Sequence, residues 1–198
     1  MINDGHDTNV TYAATWLKGF LTPLLSNKNF MDNTLVHITF DENENYPIQN
    51  KIYTILIGDS IPKDLVGTKD GNYYNHYSEL STVEANWDLY TLGRWDVGAN
   101  VFANVAAHTG DNLRKWTPDA DDGFVAFSNM YFNSSYPGIL NSKTWARQPV
   151  PDIHSNRNGR TTLPTIKDAW PGSDDLNYYH GQLEIPDGMH PPPKTPSP

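Results

Sequence analysis

Apolar positions along the chain fall first into a helical rhythm. Tyr12, Trp16, Phe20 and Leu24 recur every four residues, with Ala13, Leu17 and Leu21 beside them. That spacing predicts a helix over residues 11–25. Thr8 or Asn9 stands where a cap is needed, and Pro23 bends or closes the last turn. Residues 26–33 read as a turn-rich link. The rhythm then changes to short, dense, β-branched runs. Residues 35–40 (Leu-Val-His-Ile-Thr-Phe) and 51–58 (Lys-Ile-Tyr-Thr-Ile-Leu-Ile-Gly) predict two strands. Runs this apolar imply a sheet covered on both faces. The short link between them suits an antiparallel pair, because a parallel pair needs a longer crossover. The sheet therefore reads as partly mixed.

The first strand ends abruptly in Asp41-Glu42. In open α/β sheets, ligand-binding groups gather at the carboxyl ends of strands. The pair reads either as a solvated turn, beside Glu44 and several asparagines, or as hard oxygen donors for a divalent cation. Residues 59–75 form a long loop rich in Gly, Asp and Tyr, of the kind that often carries function. A second helix is expected after it. Ser78 is its predicted N-cap, Leu80, Val83, Glu84 and Trp87 are its periodic positions, and Gly93 closes it. His76 stands at the entry to this helix, where free N–H groups and the positive dipole end suit phosphate. On local sequence alone, a surface histidine between tyrosines is the simpler reading. Asp4 and His6 flank Gly5 in a polar start, where a carboxylate and an imidazole can share one loop face. A fraying chain end is the simpler reading there. His37 alternates within the first strand and reads as packed.

Residues 97–107 predict one more short helix. Beyond His108 the pattern weakens. Residues 109–123 are polar, 124–132 are strand-like, 136–138 are a turn, and 186–198 are Pro-rich and extended. The expected organisation is an α/β domain over 1–107, a loosely structured and partly β appendage over 108–185, and a disordered tail over 186–198.

Composition narrows the function classes. The chain has 198 residues, enough for one sizeable domain, with 37% hydrophobic and 12% aromatic residues. Its 14 Lys and Arg against 23 Asp and Glu give a net charge of −9, which does not suit generic nucleic-acid binding. With no cysteine there is no disulfide, thiolate metal site or cysteine nucleophile. No apolar run approaches the roughly 18 residues of a membrane span. The first residues lack the basic start and apolar stretch of a signal peptide. Asn9-Val-Thr and Asn133-Ser-Ser are glycosylation sequons. There is no P-loop, dinucleotide fingerprint or nucleophile elbow.

Three stretches together carry a resemblance. They are Asn3-Asp-Gly-His-Asp-Thr8, Thr39-Phe-Asp-Glu42 followed by residues 50–58, and residues 76–87 (His-Tyr-Ser-Glu-Leu-Ser-Thr-Val-Glu-Ala-Asn-Trp). In order and content they resemble the C-terminal part of fungal secreted acid phosphatases. Those belong to the phosphoesterase family that also holds bacterial phospholipases C. Asn133-Ser-Ser-Tyr-Pro-Gly138 and Pro149-Val-Pro151 resemble the tail of the same group.

The resemblance implies an alkaline-phosphatase-like fold, a mostly parallel sheet flanked by helices, with an irregular Pro-rich C-terminal region. It implies hydrolysis of a small phosphate ester, a divalent metal ion and a secreted protein. By position, Asp41 and Glu42 match the carboxylate pair associated with metal. His6 matches a phosphate or leaving-group contact, with Asp4 orienting it or touching substrate. His76 matches a histidine that acts as acid or ligand. The family's Glu-Asn metal motif and hydroxyl nucleophile fall upstream of the matched region. The expectation is thus a fragment that lacks the nucleophile and exposes the apolar face of helix 11–25. The alternative is a non-catalytic module that binds metal or phosphate.

Overall fold

A computed structural model describes residues 5–44, 52–114 and 151–171. The chain divides into two units, one of Met1–Phe40 with Ile52–Thr68 and one of Asp41–Lys51 with Lys69–Pro198.

In the first unit, α1 runs over Val10–Leu25. Asn9 is its cap, accepting from the Tyr12 N–H at 3.0 Å. Pro23 sits inside the last turn, and Thr22 and Ser26 supply hydroxyl bonds to the helix carbonyls there. The predicted apolar stripe is present, and Trp16 stacks on Phe20 with ring centroids 5.2 Å apart. Only Leu21 of this helix is buried, while Tyr12, Trp16 and Phe20 remain substantially exposed. The link after α1 contains α2, Lys28–Met31, capped by Asn27.

Strand β1 (Val36–Ile38) pairs with β2 (Ile55–Ile57) antiparallel, with His37 opposite Leu56. The antiparallel sense agrees with the short connection. Both strands are shorter than the apolar runs that predicted them. Beyond the ladder, Thr39 Oγ1 lies 3.0 Å from Thr54 Oγ1, and Ser60 Oγ donates to the Thr34 carbonyl at 2.9 Å. Gly58 makes this closure possible. Its φ is +143°, and a Cβ there would lie 2.0 Å from the Thr34 carbonyl oxygen. Only glycine fits so close a backbone approach.

The second unit contains α3 (His76–Asn86), a 3-10 turn (Trp95–Val97), α4 (Ala103–Thr109), the hairpin strands β3 (Asn156–Arg157) and β4 (Arg160–Thr161), and α5 (Pro164–Ala169). The cap of α3 is Asn75 rather than the predicted Ser78. Ser78 takes the reciprocal role three residues in, accepting from the Asn75 N–H at 3.2 Å. The helix ends at Trp87, short of Gly93. Gly93 serves a different turn: its φ is +70°, and its carbonyl accepts from Asp152 at 2.6 Å.

The apolar core of this unit is small. Trp95 and Val97 pack with Tyr77, and Val101, Phe102, Val105 and Ala106 are buried nearby in sequence. Much of the interior is polar and hydrogen-bonded. Thr82 Oγ1 accepts from the Phe102 N–H at 2.9 Å and donates to the Ser78 carbonyl at 2.7 Å, joining α3 to the start of α4. A hydroxyl chain runs from Thr91 to Ser155 (3.0 Å), to Thr162 (2.7 Å), to the Asp152 carbonyl (2.5 Å). Because the last acceptor is a carbonyl, the protons must point along the chain in that order. Thr91 also bridges Thr162 in parallel sense. The described residues thus mix helices with two small antiparallel sheets, compatible with an α/β class.

Candidate functional site

His76 is the first residue of α3, and the three residues before it are each held by a different partner. Buried Asn100 donates Nδ2 to the Tyr73 carbonyl at 2.9 Å. The Tyr74 hydroxyl donates to Asp70 Oδ2 at 2.5 Å and accepts from the Ala103 N–H at 3.0 Å. Burial, then the bond and charge of Asp70, push the Tyr74 phenol well above its ordinary value. Its ring meets Phe102 edge-on at 5.3 Å. Asn75 then caps the helix, accepting from the Tyr77 N–H at 3.0 Å. The long Asp- and Tyr-rich loop thereby delivers a histidine at a defined position.

The imidazole of His76 bridges two oxygens. Nε2 lies 2.6 Å from the Asp41 backbone carbonyl, and Nδ1 lies 3.1 Å from Glu79 Oε1. A carbonyl accepts only, and so does an ionised carboxylate. Nε2 therefore donates to the Asp41 carbonyl. Glu79 was not singled out from sequence. Its signal is its place three residues after a histidine at a helix start, where the two side chains share a face.

Asp41 is exposed and Glu42 is half-buried. Asp41 Oδ1 accepts from the Glu42 N–H at 3.0 Å, which shapes the turn. The pair offers hard oxygen donors. Among the described residues, no three His, Cys, Asp or Glu side chains group to hold a metal ion, so these two carboxylates do not by themselves complete a coordination shell.

His6 belongs to the first unit, is exposed, and pairs through Nδ1 with Asp7 Oδ1 at 3.0 Å. Asp4 and Asn133 lie outside the described residues. Asn9 is exposed, with its side-chain oxygen engaged as the cap of α1.

Against this geometry, the model of the phosphoesterase family matches residues 1–90. The chain is 47% identical over 171 residues to a probable acid phosphatase of Kluyveromyces lactis, covering 86% of this chain and 38% of that protein. The chain belongs to the phosphoesterase family. It is also 42% identical over 184 residues to an acid phosphatase of Aspergillus niger, covering 90% of this chain and 42% of that one. With a phosphate-repressible acid phosphatase of Penicillium chrysogenum it shares 42% identity over 146 residues, 74% of this chain and 33% of that one. This phosphoesterase chain therefore spans about two-fifths of the length of the first relatives it matches. No solved structure matches it significantly. Asp41, Glu42 and His76 all lie inside the family match, whereas the buried arginines of the β3–β4 hairpin lie beyond it.

Proposed function

We propose that this chain serves a phosphate-ester hydrolase of acid phosphatase type, with Asp41, Glu42 and His76 on the phosphoryl side of its site. The observation that carries this reading is the 2.6 Å contact of His76 with the Asp41 carbonyl. Within a chain of this family, it brings a proton-bearing imidazole to the turn that holds two carboxylates. In hydrolysis of a phosphomonoester an oxygen nucleophile, which the resemblance puts upstream of the matched region, bonds to phosphorus as the bond from phosphorus to the leaving oxygen breaks, and that leaving oxygen must gain a proton. Nε2 faces a carbonyl, which only accepts, so that nitrogen carries a hydrogen, which supports the acid role over the ligand role. Glu79 holds the ring in orientation. On the family resemblance, His6 keeps the role of a phosphate or leaving-group contact, with Asp4 orienting it.

A divalent ion at Asp41 and Glu42 belongs to the same proposal, on the family resemblance. Such an ion neutralises charge on phosphoryl oxygens. The alkaline-phosphatase-like arrangement, with its mostly parallel sheet, belongs to it as well, as do secretion and glycosylation at Asn9 and Asn133. No helix among the described residues is long and apolar enough to cross a membrane.

The test is hydrolysis of p-nitrophenyl phosphate by the purified chain with Mg²⁺, Mn²⁺ or Zn²⁺, alongside calorimetry with inorganic phosphate. If these residues hold a complete site, phosphate binding comes with turnover, and Asp41→Ala abolishes the turnover. Phosphate binding without turnover makes the chain a binding module instead. Neither binding nor turnover with any of the three metals rejects the site.

A further inference from the structure

Away from this site, the second unit buries five charged side chains in one cluster. Asp111, just after α4, is 9% exposed and takes both arginines of the β3–β4 hairpin. Arg157 Nη2 and Nε reach it at 2.9 and 3.1 Å, and Arg160 Nη2 reaches it at 2.8 Å. Arg157 Nη1 donates in addition to the carbonyls of Asp96 (2.8 Å) and Ala99 (2.6 Å). Ser81 of α3 donates to that same Asp96 carbonyl at 2.7 Å, so hairpin and helix meet there. The Asp96 carboxylate, fully buried, accepts backbone N–H groups from Arg94 and Leu92, each at 2.8 Å.

Glu84, one turn along α3 from Ser81, is the fifth member. It is 2% exposed, and neither of its carboxyl oxygens has a hydrogen-bond partner among the described residues. The Nε of Arg160 is likewise buried without one. The charged groups acting on Glu84 are Asp96 from the 3-10 turn, Arg160 from β4 and Arg157 from β3. Asp111 and Arg114 stand behind them, Arg114 donating to the Val97 and Gly98 carbonyls. Asp111 and the Asp96 carbonyl take up the hairpin arginines, and Arg114 is spent on the Val97 and Gly98 carbonyls. An ionised Glu84 would therefore be a buried carboxylate with no hydrogen-bond donor of its own, which is unfavourable.

We propose that Glu84 is a proton-operated latch, neutral when the two-arginine hairpin is closed on α3 and opening that closure when it ionises. Burial, then the neighbouring Asp96 charge, push Glu84 up to about 8. Burial pushes Asp96 up as well, but two backbone N–H groups offset part of that rise and none reaches Glu84, so Glu84 keeps the proton. The closed state thus binds a proton that the unfolded chain releases above the ordinary glutamate value of 4.5, and stability falls as pH rises from there to about 8. Above that the loss is complete. What favours the open hairpin is the desolvation of the ionised carboxylate, which the charges of Arg160 and Arg157 offset only in part.

Thermal unfolding of the full chain from pH 5 to pH 9 tests this. The wild type should lose folding equilibrium constant by on the order of 10³-fold relative to Glu84→Gln across that range, the two agreeing closely at pH 5. Limited proteolysis should cut within residues 151–163 faster at pH 9 than at pH 6 in the wild type only. Infrared spectra should show a protonated-carboxyl band at pH 6 that Glu84→Gln lacks. Parallel pH curves for the two proteins, or no such band, overturns the latch.

Discussion

Asp41 offers His76 its backbone carbonyl, 2.6 Å from Nε2, while its own carboxylate turns to the Glu42 N–H at 3.0 Å. One residue thus does two separate jobs, and only the second can be removed by mutation. His76→Ala should lower hydrolysis of p-nitrophenyl phosphate by roughly 10²–10⁴-fold, the usual scale for loss of general acid–base catalysis. Circular dichroism should stay unchanged, since His76 is exposed. Glu79→Gln should cost less, because it keeps an acceptor within reach of Nδ1.

The delivery of His76 should be separable from its chemistry. Asn75→Ala removes the cap of α3 and should destabilise the unit by about 1 kcal/mol. Asn75→Asp or Ser should restore most of it. Urea unfolding measures the first effect, and phosphate binding by the same variants measures whether His76 has moved.

Gly58→Ala should weaken the first unit by about 2 kcal/mol or more, from the strained φ and the collision with Thr34. Hydrogen exchange at Val36 and Ile57 should accelerate in this variant, because those residues pair across β1 and β2. Gly67→Ala is the comparison: its φ is also positive, but a Cβ there meets nothing within 4 Å.

Asp111 sets the acid limit of the second unit. Burial alone would raise its value, but the bonds and charges of Arg157 and Arg160 outweigh burial and hold it below the ordinary carboxylate range. The closed state therefore keeps Asp111 ionised where the unfolded chain has begun to protonate. Its stabilisation is full above the ordinary carboxylate value and is lost as pH falls through the lowered one. Asp111→Asn should destabilise the unit by about 3–5 kcal/mol near neutrality, because it leaves two buried guanidinium groups without their anion. The gap to wild type should narrow in acid, as chemical denaturation across pH will show.

What was legible in the sequence follows what local pattern can encode. The four-residue spacing of Tyr12, Trp16 and Phe20 marks α1 because a helix face repeats at that interval. The two β-branched runs mark β1 and β2, and the short link gives their sense. The cap of α3 was displaced from Ser78 to Asn75 because both residues belong to one capping box, and pattern alone does not say which is its outer member. Asp41, Glu42 and His76 stood out as residue types, but the hydrogen bond that joins 41 to 76 depends on tertiary packing. The charged cluster was hidden for the same reason. Glu84 looked like an ordinary helix position, and Arg157 and Arg160 sat in a stretch with no apolar rhythm. Their meaning comes from Asp111, 46 and 49 residues away.

That separation bears on how the protein is made. Residues 76–114 leave the ribosome well before Arg157 and Arg160, so Asp111 and the carbonyls of Asp96 and Ala99 wait in water until the hairpin arrives. Long-range closure of this kind is slow, because the ordering entropy precedes the reward. Synthesis of the last quarter of the chain is therefore the step that converts a solvated helical segment into a closed unit. A nascent chain stalled before residue 157 should remain open to proteases and dependent on chaperones.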